Sequence, residues 1–176
     1  MNNHQLYKAA LSNQAIRDDG FLGVFFLDTL PVTAITSYPY TLIVNTANKN
    51  SAGEHWVAIH KDICQNGWFF DSYGIPPKLD QFLAVMDSCQ YWNYNNTQLQ
   101  SHSTTTCGLY CLFFIYHSAR GYNLEEIAHL LNQDSDRIVN DAIVNSFVND
   151  NFDIAQVPLI DFPFVFSQVS KMANLH

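Results

Sequence analysis

From Cys107 to about Ala119 the sequence reads CGLYCLFFIYHSA, apolar on every side of a helical wheel. A helix with no polar face cannot lie on a surface and must be enclosed. Its most apolar part, residues 109–116, is far shorter than the roughly 20 residues that cross a bilayer. The enclosure therefore has to come from the rest of the chain. At 176 residues, 48% of them hydrophobic and 14% charged, the chain can supply it as one globular domain spanning 1–176. An aromatic share of 14% predicts a core filled largely with rings.

The elements around that helix can be read from periodicity. Residues 3–17 space Leu6, Ala9, Ala10, Leu11 and Ile16 as one helix, which Gly20 and Gly23 end. FLGVFFLDTLP is an extended apolar segment up to Pro31, and Pro39 in TSYPYT marks a turn or sheet edge. TLIVNT (41–46) reads as a buried strand, HWVAIHK (55–61) as an alternating one and WFFD (68–71) as the next. Pro77 suits the first turn of a helix over 78–88, and YWNYNN suggests a short strand. Gly121 closes the apolar helix, and Asn123 with Glu126 forms a capping box for a helix over 124–131. Another amphipathic helix covers 135–148, and the apolar tail from Val157 carries no clear period. The pattern is a mixed α+β chain.

Composition narrows the function. Eight basic against sixteen acidic residues give a net charge of −8 with no Lys/Arg run, which disfavours sequence-blind binding to nucleic acid. The four cysteines, Cys64, Cys89, Cys107 and Cys111, form no CxxC pair and have no paired histidines, so no metal site is expected. They suit a reducing compartment better than a secreted disulfide framework. MNNHQLYKAA lacks the apolar run of a signal peptide, so the expectation is a soluble protein, neither secreted nor membrane-bound.

Five positions suggest chemistry. Cys107 follows Thr104, Thr105 and Thr106 at the start of the apolar helix. A hydroxyl there can cap the helix. The helix dipole and free first-turn N–H groups favour a thiolate and can hold an adjacent oxyanion. Gly108 would let a substrate backbone approach. His55 begins one predicted strand and Asp71 ends the next, so a hairpin turning near 63–64 sets them roughly opposite, about 5 Å apart at Cβ. The carboxylate then fixes the imidazole tautomer and leaves the other nitrogen for a thiol. Gln100, seven residues before Cys107, can add an oxyanion donor, with Gln98 as its local rival. Each position has a plainer reading: a small buried hydrophobe, a solvated histidine and aspartate, an ordinary loop amide. His60 and His129 read as surface residues, His117 as a cation suited to the end of the helix, and His102 as a rival base. Cys64 and Cys111 read as incidental and as core packing, Tyr73 and Trp92 as groove candidates, and Asn95-Asn96-Thr97 as an idle glycosylation sequon.

GEHWVAI, FFDSYG and Q-x6-C-G-L-Y-C, in that order, resemble the adenovirus endopeptidase (adenain) family and its wider clan, which includes the SUMO- and ubiquitin-like-specific cysteine proteases. LIVNTANKNSAGEHW and FLGVFFLDTLP extend the resemblance, which covers about residues 15–120. It implies a papain-like α+β fold, a central buried helix on a mixed, mostly antiparallel sheet. It implies Cys107 as nucleophile, His55 as base, Asp71 as orienting acid, and Gln100 with the Cys107 N–H as oxyanion hole. It implies a Trp56-lined channel selecting Gly before the scissile bond, action on viral precursor proteins as a monomer, and residence in the host nucleus or cytoplasm and the virion. Cys89 falls where the adenoviral enzyme bonds an activating viral peptide. Two departures stand out: Asp where adenoviral enzymes usually carry Glu, and an acidic chain where they are basic and use DNA as cofactor. The alternatives are a protease removing ubiquitin-like modifiers and an inactive module that binds Gly-rich tails.

Overall fold

Strands that alternate between two apolar faces need cover on both sides, and this chain provides it. The computed structural model describes residues 1–154 apart from 33, 34, 36, 52–54 and 132–135. In chain order the elements are α1 (Asn3–Ser12), α2 (Gln14–Asp18), β1 (Phe21–Phe26), β2 (Tyr40–Asn45), β3 (Trp56–Lys61), β4 (Asn66–Phe70), α3 (Asp80–Met86), β5 (Tyr91–Tyr94), α4 (Cys107–Ser118), α5 (Leu124–Leu131) and α6 (Arg137–Asn151). The strands form one mixed sheet in the order β1-β2-β3-β4-β5. Its two central pairings, β2–β3 and β3–β4, are antiparallel, and each edge strand is parallel to its neighbour. The α+β class expected from the sequence is the one observed.

Period-2 alternation divides the core. Ile43, Ala58 and Phe70 point to one face, where they meet α1, α4, α5 and α6. Leu42, Val44, Val57, Ile59 and Phe69 point to the other, where Phe82, Val85 and Met86 of α3 cover them with Leu30 and Tyr40. Every residue of α4 except Tyr116 and His117 is buried, as a helix with no polar stripe requires. Phe114 stacks on Phe70 with ring centroids 4.7 Å apart and planes 8° apart, tying the helix to β4.

Local signals set most boundaries. Gly121, at φ 84, closes α4: its N–H donates to the Ser118 carbonyl and the Tyr122 N–H to that of His117. Asn123 and Glu126 exchange the two bonds of a capping box, and α5 begins where they predict. The single helix expected over 3–17 is instead two, because Asn13 adopts an extended backbone and its side chain caps α2. The extended segment after Gly20 ends as a strand at Phe26 and continues as a short 3₁₀ turn over Leu27–Thr29. The helix expected from residue 78 begins at Asp80, leaving Pro77 outside its first turn. The expected helix start at 135 and the tail from 157 lie outside the described residues.

Phe114 is 1% exposed and fills the contact between α4 and the sheet. Phe114→Ala is therefore expected to lower the unfolding free energy by about 3–5 kcal/mol, and Phe114→Leu, which leaves a smaller cavity, by markedly less. Urea unfolding with an unchanged m-value checks both.

Candidate active site

Three elements converge at one end of the sheet. Cys107 is the first residue of α4, whose apolar body fixes it against β3. His55 precedes β3, and its carbonyl accepts from the Thr46 N–H at 2.8 Å, which extends the β2–β3 pairing by one step. Asp71 follows β4. The register Ala58↔Phe70, continued one step, sets Asp71 opposite Val57, so His55 reaches it diagonally across the end of the hairpin. His55 Nε2 lies 2.9 Å from Asp71 Oδ1. The Cys107 sulfur and the imidazole shift each other's pKa, and with Nε2 engaged by Asp71, Nδ1 is the nitrogen left for the sulfur. The hairpin turn falls over 62–65, as the spacing predicts, with Gln65 at φ 65.

The electrostatics follow from these contacts. Burial alone would lower the His55 pKa, but the bonds and charges of Asp71 and Cys107 outweigh it and raise it to about 9. Burial would push the Cys107 thiol up; the His55 partner and the backbone N–H groups of Trp56 and Gly108 outweigh that and hold it below the ordinary range. At neutral pH the ring therefore carries a proton, and the same contacts shift the sulfur towards the thiolate. Cys111, fully enclosed one turn further along, is shifted well upward and stays a thiol.

Asp71 is itself held from several directions. Its Oδ1 also accepts from the Tyr73 N–H at 2.8 Å. The buried side chain of Asn95 clasps its backbone, Oδ1 accepting from the Asp71 N–H at 2.9 Å and Nδ2 donating to the Asp71 carbonyl at 2.6 Å. Asn95 is a positioning residue that sequence reasoning missed. It stands among polar loop residues, and no local pattern distinguishes it.

Gln100 is fully buried on the loop that leads to Cys107. Its Oε1 accepts from Ser72 Oγ at 2.7 Å, and its Nε2 donates to the Thr104 carbonyl at 3.0 Å. The Leu99 and Gln100 N–H groups both donate to the Ser72 carbonyl, at 2.8 and 3.0 Å, which ties this loop to the Asp71 segment. The rival Gln98 turns its amide to the Gln100 carbonyl at 2.8 Å. As the first helical residue, Cys107 has an N–H with no intrahelical acceptor.

Several expectations require correction. Thr106 precedes α4 but makes no side-chain cap; its Oγ1 donates to Asp141 instead, at 3.4 Å. Gly108 does not open its missing side chain to substrate, since Leu6 of α1 fills that space, 3.1 Å from where a Cβ would stand. Its N–H is the part that faces the sulfur. Trp56 is anchored to α1 through its Nε1 bond to Asn3 Oδ1 at 3.1 Å and packs partly buried against the core. His60 is buried, not exposed, with Nδ1 2.9 Å from Thr41 Oγ1. His117 is no cation: burial and the neighbouring Arg120 lower its pKa to about 4. His129 is exposed, as the sequence suggests, and Cys64 is exposed in the hairpin turn. His102 is exposed and stacks on Tyr73, whose ring also packs against His55. Trp92 is partly buried on the α3 face of the sheet. Cys89 is half-buried, and the absence of a side chain at Gly67 leaves the room its sulfur occupies. Among the described residues no group of three His, Cys, Asp or Glu side chains is placed to hold a metal ion, and no helix is long and apolar enough to cross a membrane.

Comparison with known proteins bears on this arrangement. A protease of Bovine adenovirus C serotype 10 is 32% identical over 89 residues, covering 42% of this chain and 45% of that protein, so the match spans less than half of the relative. The central domain of the uncharacterized Lpg1148 protein from Legionella pneumophila shares the fold, with a TM-score of 0.51 at 15% identity over 85% of this chain and 96% of that one. The ASFV pS273R protease gives a TM-score of 0.49 at 22% identity, over 69% of this chain and 46% of that one. The adenovirus endoprotease family model matches residues 21–163. The chain thus belongs to the adenovirus endoprotease family.

Proposed function

We propose that the chain is a cysteine endopeptidase that cleaves next to Gly in viral precursor proteins. The observation that carries this reading is the pairing of His55 with Asp71, at 2.9 Å, beside Cys107, whose thiol the ring helps to hold below its ordinary range. The Cys107 thiolate attacks the scissile carbonyl carbon and a C–S bond forms. The carbonyl oxygen becomes an oxyanion, taken up by the Cys107 N–H and by the Gln100 amide, which Ser72 and Thr104 hold in place. Collapse breaks the C–N bond, and His55 gives its proton to the departing amine. The neutral imidazole then takes a proton from water, whose oxygen attacks the acyl carbon. The acid product leaves, and the thiolate and imidazolium are restored. Asp71 keeps the ring oriented throughout.

This chemistry calls for no metal. Trp56, next to His55 in the chain, and Tyr73, packed against the His55 ring, are partly exposed and under this reading line the approach of a Gly-containing substrate strand. Under the same reading Cys89, half-buried just before edge strand β5, is the thiol for tethering an activating peptide. With a net charge of −8, DNA is left out of the reading.

A thiol-directed probe carrying a Gly-Gly peptide should label the wild type at Cys107 and leave Cys107→Ser unlabelled. Cleavage of Gly-containing precursor peptides should fall by at least about a thousandfold in that variant. A wild type that stays unlabelled with candidate activator peptides present defeats the enzyme reading, and preferential cleavage of SUMO or ubiquitin fluorogenic substrates redirects it to deconjugation. The pH profile is a separate check. The imidazolium is needed as proton donor, so kcat/KM should decline on the alkaline side with a midpoint near the His55 value of about 9. Asp71→Asn removes the charge that favours the imidazolium and should move the His55 midpoint down by about one unit or more in an NMR titration.

A further inference from the structure

The first turn of α4 has one N–H with two suitors. In an ordinary helix the residue before the first turn caps it, its side-chain oxygen accepting from the second or third helical N–H. Here the second helical N–H belongs to Gly108, next to Cys107 in the chain, and it helps to hold the Cys107 thiol below its ordinary range. A hydroxyl from Thr106 capping in the usual way would compete for it. The Leu109 N–H, the other capping target, is taken by the Thr106 carbonyl at 2.8 Å.

Thr106 is drawn away by Asp141. This aspartate lies on α6, is 0% exposed, and faces the loop that runs into α4. Its Oδ2 accepts from Thr104 Oγ1 at 2.8 Å, and its Oδ1 accepts from Tyr110 Oη at 2.8 Å and from Thr106 Oγ1 at 3.4 Å. The Ser101 N–H approaches both oxygens, at 3.3 and 3.4 Å. Thr104 and Thr106 also share a contact at 3.1 Å between their hydroxyls. With donors from both ends of the loop gathered on one carboxylate, Thr106 keeps ψ at 7°, away from the extended backbone of a capping residue. Burying a carboxylate without need is costly, and a purely apolar α6 would pack equally well against α4.

We propose that Asp141 is a positioning residue that keeps α4 uncapped. By holding the hydroxyl of Thr106 it reserves the Gly108 N–H for the Cys107 thiolate and leaves the Cys107 N–H open to the oxyanion. The proposal rests on the reading of Cys107 as nucleophile, and its test separates the two. Iodoacetamide alkylation of the full chain is followed across pH at Cys107 by peptide mass mapping, with exposed Cys64 as internal reference.

Asp141→Ala should slow alkylation of Cys107 near neutral pH about tenfold and move its pH midpoint upward, because the freed hydroxyl takes the Gly108 N–H. Adding Thr106→Val to Asp141→Ala removes that competitor and should restore the rate to within about threefold of wild type, which a role confined to stability would not do. Thr106→Asn in the otherwise intact chain keeps Asp141 and supplies a carbonyl oxygen that the carboxylate cannot bind. It should slow the reaction several-fold and serves as the test if Asp141→Ala does not fold. Wild-type rates in folded Asp141→Ala or in Thr106→Asn overturn the proposal, as does a double variant no faster than Asp141→Ala. A wild-type Cys107 that reacts no faster than Cys64 overturns the nucleophile reading itself.

Discussion

The enclosure of α4 governs the rest of the structure. Ten of its residues are buried, so the helix is clamped between the sheet and the helices α1, α5 and α6. That burial is not specific to chemistry, but it delivers the N-terminus of the helix to the end of β3 and leaves little freedom in where Cys107 stands. A helix with a polar stripe could rotate or slide on the sheet at modest cost. One that is apolar all round and interlocked through Phe70 and Phe114 cannot, and Cys107 in its first turn inherits that rigidity.

The ion pair depends on the same burial in a second way. Withdrawing His55 and Cys107 from water would by itself favour neutral imidazole and neutral thiol. Both shifts run the other way because each group has specific partners: Asp71 and Cys107 for the ring, the ring and two backbone N–H groups for the sulfur. Backbone donors suit this role. They are already placed by β3 and α4, so stabilising the anion requires no side chain to reorganise. Gly108 contributes through its N–H, while its missing side chain accommodates Leu6 of α1, so packing and the electrostatics of Cys107 use opposite sides of one residue.

Legibility in the sequence followed from how local each cause is. The strands 41–46 and 55–61 and the helix 124–131 were readable because their periods and caps lie within a few residues. His55 and Asp71 could be paired because a hairpin has a small set of registers. Asn13 hid the break between α1 and α2, since apolar residues continue past it at helical spacing and nothing like Gly or Pro marks the stop. His60 resembled a surface residue because its partners, Thr41 and Asp19, come from other elements. Asn95 and Asp141 were illegible for the same reason: each acts on a segment more than twenty positions away, and an amide or carboxylate in a polar stretch looks the same whether it faces water or a backbone.

Asn95 also bears on how Asp71 reaches His55. The family resemblance leads one to expect Glu opposite the histidine, and Asp is one methylene shorter. The structure makes up the reach through the backbone. Asn95 pairs with both the N–H and the carbonyl of Asp71, in effect extending β4 by one hydrogen-bonded step beyond Phe70. The Gly74 N–H donates to the same carbonyl at 2.8 Å, and the Tyr73 N–H fixes the carboxylate oxygen that His55 uses. At φ 71, with Thr97 backbone only 2.7 Å from the site of a Cβ, Gly74 lets this turn lie flat against the Asn95 loop. A longer side chain could find the ring by adjusting its own torsions; a shorter one must have its backbone brought to the right place, and here Asn95, Tyr73 and Gly74 bring it there.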